Sequence, residues 1–226
     1  MQDRNLHTEG RLEWLCLALV ITLAAHALPQ WAMELSWRVL PNPAQAWVQD
    51  QVGWQNYYWL WTLAFGLLLA LPSPVRSGLG IGKIQEYFWP TLLVCGLPVL
   101  GTALIYPQLP EHLRPFKGME VGFWLISPLA QDLVFCGYLY GRFETLFPSY
   151  LHRRLPVRWA VVLAALYFAA WHLRNLEWSP VSFVMFQLCY TFAGAVFVGL
   201  SRQWTGSMWY LTLAHMAGNF IAWYWS

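Results

Sequence analysis

Long apolar runs separated by short polar ones give this chain its first pattern. A helix that crosses a bilayer needs about 20 mostly apolar residues. Seven stretches approach that length: residues 12–33, 54–72, 87–106, 119–140, 157–173, 181–200 and 206–225, the fifth being short. The pattern predicts an all-α, polytopic transmembrane helical bundle of about seven spans. One integral membrane domain covers residues 1–226, with no internal repeat or low-complexity tract. Residues 34–53 and 107–118 are expected outside as loops, the first with a short interfacial helix. The first eleven residues are polar, and the run after them lacks a clear signal-peptidase site. That run is expected to stay as a helix.

Composition supports a membrane setting. Hydrophobic residues make up 58% of the 226 positions and charged residues 11%, against about 25% charged in a soluble domain. Sixteen Trp and eleven Tyr suit aromatic belts at the two membrane–water interfaces. A net charge of +2, with no basic helix and no Gly-rich phosphate loop, gives no reason to expect a nucleic-acid partner.

Basic residues set the expected orientation. With the N-terminus inside, inner segments hold Arg4, Arg11, Arg76, Lys83, Arg142, Arg153, Arg154, Arg158 and Arg202, and outer ones hold Arg38, Arg114, Lys117 and Arg174. Nine against four favours N-in, C-out by the positive-inside rule, in what is expected to be a bacterial inner membrane. Cys16, Cys95, Cys136 and Cys189 all fall in apolar runs and form no CxxC pair. Buried thiols are expected there rather than a disulfide or a zinc site.

Ionisable groups deep in a span are costly and mark candidate functional sites. Gln131 and Asp132 lie side by side in the fourth span, just after Pro128, whose ring is expected to kink the helix and open room for water. Phe168 and His172 are four apart at the end of the fifth span and share a face. His215 and Asn219 have the same spacing in the seventh. Each also has a structural reading: Gln131 and Asp132 as hydrogen-bonding glue between helices, His172 as an interfacial residue at a span end, and His215 with Asn219 as a structural hydrogen-bonded pair. Together, an acid/amide pair, a histidine and a His–Asn pair on three spans would make a polar pocket in the bilayer. Such a set suits attack of water on an amide, which needs a base, a second proton carrier and donors for the developing oxyanion.

The motifs "QDLVFC", "FAAWH" and "HMAGN" resemble, in order, the EExxxR, FxxxH and HxxxN motifs of the CPBP family. These are the Abi or CAAX prenyl protease 2-type intramembrane endopeptidases. The likeness covers roughly residues 119–225 and includes a TGS turn before the last helix. It implies hydrolysis of a peptide bond in a membrane-anchored or lipidated substrate. The first acid position would hold the general base, and Gln131 stands there. Asp132 would support it, His172 would help hold the water, and His215 with Asn219 would stabilise the oxyanion. The family has been read both as zinc-dependent and as glutamic, metal-free proteases. Gln131 is a poor zinc ligand, so no cofactor is expected.

This chain departs from the family pattern twice. Cys136 replaces the Arg that would pair with the second acid four positions earlier, and Arg142 is too far along the helix to replace it. Without that partner a deeply placed carboxylate tends to become neutral; pairing with a histidine from another span is the alternative. Gln131 keeps a carboxylate's shape but takes no proton near neutral pH. Two origins fit: a natural pseudoprotease or Asp132-dependent enzyme, and an introduced Glu→Gln change. Either leaves the chain impaired in the family mechanism. The alternative reading is a non-enzymatic immunity or partner-binding protein on the same scaffold.

Overall fold

The computed structural model describes residues 2–114 and 121–225. It is helical throughout, and among the described residues the sole β feature is an isolated antiparallel bridge between Tyr150 and Arg158. The helices are α1 (Gln2–Val39), α2 (Asn42–Trp47), α3 (Trp54–Ala70), α4 (Ile84–Ile105), α5 (Ile126–Asp132), α6 (Tyr140–Leu146), α7 (Trp159–Trp171), α8 (Val181–Thr205) and α9 (Trp209–Tyr224). Among the described residues, three helical stretches are long and apolar enough to cross a membrane: Gly10–Val39, Ile84–Gln108 and Val181–Thr205. Large apolar side chains such as Leu23, Leu68, Trp89, Leu104 and Leu213 stand exposed on the exterior. Water would penalise that surface and lipid does not, as befits an integral membrane protein.

Several element boundaries differ from those the hydropathy suggests. Helix α1 runs on to Val39, and carries Gln30 and Glu34 one turn apart on its exposed face, hydrogen-bonded at 3.4 Å. The short helix expected in 34–53 is α2, which runs directly into a π-helical turn at Val48–Val52. The segment expected as the fourth span is helical from Ile126 to Leu146 without a break, through a π-helical stretch at Leu133–Leu139. Its expected start at 119, and Lys117 of the preceding loop, lie outside the described residues.

That later start corrects the reading of Pro128. Pro128 is the third residue of α5, in the first turn, where backbone N–H groups have no helical acceptor and proline is tolerated. It therefore removes no internal bond and makes no kink. The irregularity follows Asp132 instead. One-turn π stretches inside α-helices gather at functional sites, and this one is buried at every position except Tyr138.

The core forms around that stretch. Leu133, Val134, Phe135, Leu139, Tyr140 and Phe143 pack with Ala160, Val161, Ala164 and Phe168 of α7, with Met208 just before α9 and with Leu211 of α9. Helix α3 presses on α5 through Gly66, where a Cβ would meet the Leu133 Cβ at 2.9 Å and the Ala130 carbonyl oxygen at 3.1 Å. Helix α8 ends at Gly206, whose φ of 76° gives the left-handed turn that glycine accepts without strain. The Thr205–Ser207 turn then sets α9 back against α4 and α5.

The cysteines are not uniformly buried. Cys136 is, Cys95 is half-buried, and Cys16 and Cys189 are exposed on the apolar exterior. A thiol suits a lipid-facing position as well as a core, so an apolar run alone does not separate the two.

Candidate functional site

Gln131, Asp132, Phe168, His172, His215 and Asn219 line one cavity of about 510 Å³. The sequence pointed to spans four, five and seven as its walls. Helices α4 and α8 contribute as much, through Gly101, Thr102, Tyr190 and Gly194 among others. Pro128 is buried in the first turn of α5 and does not line the cavity.

At the polar end, Asp132 is 2% exposed and Gln131 5% exposed, so both are withheld from solvent. The Gln131 Nε2 donates to Ser127 Oγ at 2.6 Å, one helical turn earlier. Its Oε1 is buried and makes no hydrogen bond to the protein; nor does Asp132 Oδ2. The other carboxylate oxygen, Asp132 Oδ1, accepts from His215 Nδ1 at 3.2 Å. The Cys136 thiol, on the next turn, also points its S–H at Oδ1 from 3.8 Å. Asp132 thus finds its partner on another helix, 83 positions along the chain. Arg142 lies elsewhere, over the rings of Trp14 and Tyr138 at 5.3 and 5.4 Å.

Both histidines are fixed by what their Nδ1 atoms meet. His172 Nδ1 lies 3.0 Å from the Phe168 carbonyl oxygen. A carbonyl only accepts, so Nδ1 carries the proton, and a neutral His172 presents a lone pair at Nε2. The same logic gives a neutral His215 a lone pair at Nε2, because its Nδ1–H faces a carboxylate. The Phe168 ring stands edge-on to both imidazoles, with centroids at 5.0 Å from His172 and 5.6 Å from His215. One residue therefore fixes a tautomer through its backbone and spaces two imidazoles with its ring. That double duty is a physical reason for a phenylalanine four positions before the histidine. Asn219 Nδ2 donates to the Phe123 carbonyl at 3.3 Å and keeps a second N–H.

Residues 117–221 match the family model described as Type II CAAX prenyl endopeptidase Rce1-like. The resemblance drawn from the three motifs holds for that segment, which contains every one of them. The Rce1-like segment begins in the residues before α5 and ends within α9, so it includes all six residues named at the cavity but none of α4. Searches of curated proteins and of solved structures gave no match.

The donor set does not suit zinc. Among the described residues no group of three or more His, Cys, Asp or Glu side chains is placed to hold a metal ion. Asp132 and His215 engage each other, and the amide at position 131 is a weak ligand. No step of the chemistry below runs through a metal.

Some of this escaped the sequence. Ser127 lies four before Gln131, a same-face spacing that could have marked it. The walls from α4 and α8 carry Gly, Thr and aromatic residues that lipid-facing helices carry too, so no local signal separates them. Outside the cavity, Arg174 stacks on Trp171 with its guanidinium carbon 3.7 Å from the ring centroid. It also lies over Tyr58, Trp59 and Trp178 and donates to the Tyr58 hydroxyl. This cluster ties the turn after His172 to α3.

Proposed function

We propose that the protein is an intramembrane endopeptidase that hydrolyses a peptide bond in a membrane-anchored or lipidated substrate. The observation that carries the reading is the polar end of the cavity. Two buried, unpartnered acceptors, Gln131 Oε1 and Asp132 Oδ2, share a mostly apolar chamber with two imidazoles held in the Nδ1–H form. Acceptors of that kind suit a hydrogen-bonded water, because leaving them unsatisfied costs about 1–3 kcal/mol each. The apolar walls suit a substrate that arrives from the bilayer, and the Rce1-like match points to the same class.

In this reading, water sits between Gln131 Oε1, Asp132 and His172 Nε2. The free N–H of Asn219 faces the oxyanion that forms when water adds to the carbonyl. The family pattern puts the general base at position 131, and an amide cannot fill that role. The chain therefore works more slowly than a form with Glu there. The spans are the seven apolar stretches, with the N-terminus in the cytoplasm of a bacterial cell. Gln131 also favours a second reading, a partner-binding scaffold that keeps the pocket and has lost its chemistry.

The two readings part in a cleavage assay. The purified chain and its Gln131→Glu variant are reconstituted in liposomes with a library of membrane-anchored and lipidated peptides, and products are read by mass spectrometry. The peptidase reading expects discrete cleavage, faster in the variant. Binding of a peptide by both proteins with no cleavage by either favours the scaffold.

A further inference from the structure

We propose that His215, oriented by Asp132, is the general base of this chain in place of the missing acid at position 131. The proposal rests on the peptidase reading and reassigns the base, and with it the place of the attacking water, which lies at His215 Nε2 on the side of the ring away from Asp132. The family pattern makes His215 an oxyanion donor. Its geometry here does not allow that at the start of the reaction. The Nδ1–H is engaged by Asp132 Oδ1 at 3.2 Å, so on a neutral ring the remaining nitrogen, Nε2, has only a lone pair to offer in the cavity that His215 lines. A lone pair repels an oxyanion and accepts a proton from water.

Three further observations favour His215 over the other candidate bases. Gln131 is excluded by its chemistry. His172 presents the same kind of lone pair, but its Nδ1–H meets a neutral backbone carbonyl. A carboxylate stabilises the imidazolium that forms in the transition state much better, as the aspartate of a Ser–His–Asp triad does. Asp132 is also built for this service. It is 2% exposed, has no Arg or Lys partner among the described residues, and is held on Oδ1 by Cys136 as well as His215. An Arg at position 136 would compete with His215 for that carboxylate. The two departures from the family motif therefore fit each other. Loss of the acid at 131 and loss of the Arg at 136 together turn Asp132 from a salt-bridged supporter into the orienting partner of a histidine.

The step balances. Water gives a proton to His215 Nε2 while its oxygen bonds to the substrate carbonyl carbon. The carbonyl π pair moves onto oxygen, which receives the Asn219 N–H. His215 is now an imidazolium with a donor at Nε2. When the tetrahedral intermediate collapses, the C–N bond breaks and the Nε2 proton goes to the leaving nitrogen. The products are a carboxylic acid and an amine, and His215 returns to its neutral form. Asp132 takes up no proton in the step and acts as a positioning residue.

The test is a double comparison in liposomes, with a membrane-anchored peptide that the Gln131→Glu variant cleaves. Asp132→Asn keeps the shape but offers an amide, which can hold His215 in the wrong tautomer. In the parent chain it should lower kcat by about 10²–10⁴ with KM little changed. In the Gln131→Glu background the same change should cost less than about tenfold, because a second base is then present and the effects are not additive. His215→Gln, a change at a half-buried position, should behave in the same way and guards against misfolding of the Asp132 variant. Equal losses in the two backgrounds would make Asp132 merely structural and overturn the proposal. A parent chain that is inert while Gln131→Glu cleaves would also overturn it and leave the peptidase reading standing. If no form cleaves any peptide, both fall.

Discussion

Restoring a carboxylate at position 131 exchanges one atom, the Gln131 Nε2, for oxygen. That nitrogen now donates to Ser127 Oγ at 2.6 Å. In Gln131→Glu an oxygen there accepts instead, and the Ser127 hydroxyl can reverse to donate, so the local contact survives. The atom facing the chemistry is Oε1, buried and without a protein partner in the parent. It becomes a carboxylate oxygen able to take a proton. A positioned general base contributes about 10²–10⁴ in rate, which is about 2.7–5.4 kcal/mol of barrier. The full gain is expected in an Asp132→Asn background, where no other base acts. In the parent it is smaller by whatever the Asp132–His215 pair already supplies. A second buried carboxylate beside Asp132 also lowers stability, because an unpaired buried charge costs several kcal/mol. A modest fall in melting temperature should therefore accompany the gain. The assay is single-turnover cleavage of a quenched fluorescent peptide in liposomes. A Gln131→Glu protein that is folded by gel filtration and circular dichroism, yet no faster in either background, would refute the reasoning.

Three other predictions concern the scaffold. Arg174→Ala removes a cation from four aromatic faces and a hydrogen bond to Tyr58, and should destabilise the protein by about 2–4 kcal/mol, with Arg174→Lys recovering only part; denaturant unfolding in detergent measures both. Gly194 lines the cavity with open space where a Cβ would stand. Gly194→Leu should therefore leave the melting temperature near the parent value while blocking peptide binding, read by fluorescence anisotropy. For topology, Arg154→Cys in a variant stripped of its four other cysteines should label with an impermeant maleimide only from the cytoplasmic side; labelling from outside removes the seven-span, N-in arrangement.

Much of the helical layout was legible because hydropathy acts on whole turns. Helices α3, α4, α8 and α9 begin and end within a few residues of the apolar runs, since Gly53, the Pro- and Gly-rich 71–83 stretch and Gly206 interrupt them. The fourth span was misjudged for a specific reason. The residues ahead of Ile126 are nearly as apolar as those after it, so the run concealed where helical hydrogen bonding starts. Placing Pro128 inside the helix then followed wrongly. Four-residue spacings carried real information, because Phe168 with His172 and His215 with Asn219 must share a face. What spacing could not give was the partner across the bundle. The missing Arg at 136 was the clue that Asp132 needed one, and His215 is the residue that the fold brings to it. Residues of α4 and α8 stayed hidden because a cavity wall and a lipid face use the same side chains.

The central claim is that water, activated in this cavity, cleaves a peptide bond. Its most direct test is cleavage of a membrane-anchored peptide by the reconstituted protein in ¹⁸O-labelled water. The account predicts two products, with one label atom in the newly formed C-terminal carboxyl group, and loss of both products in His215→Gln. An intact peptide with the parent chain and with Gln131→Glu, under conditions where both bind it, would contradict the claim.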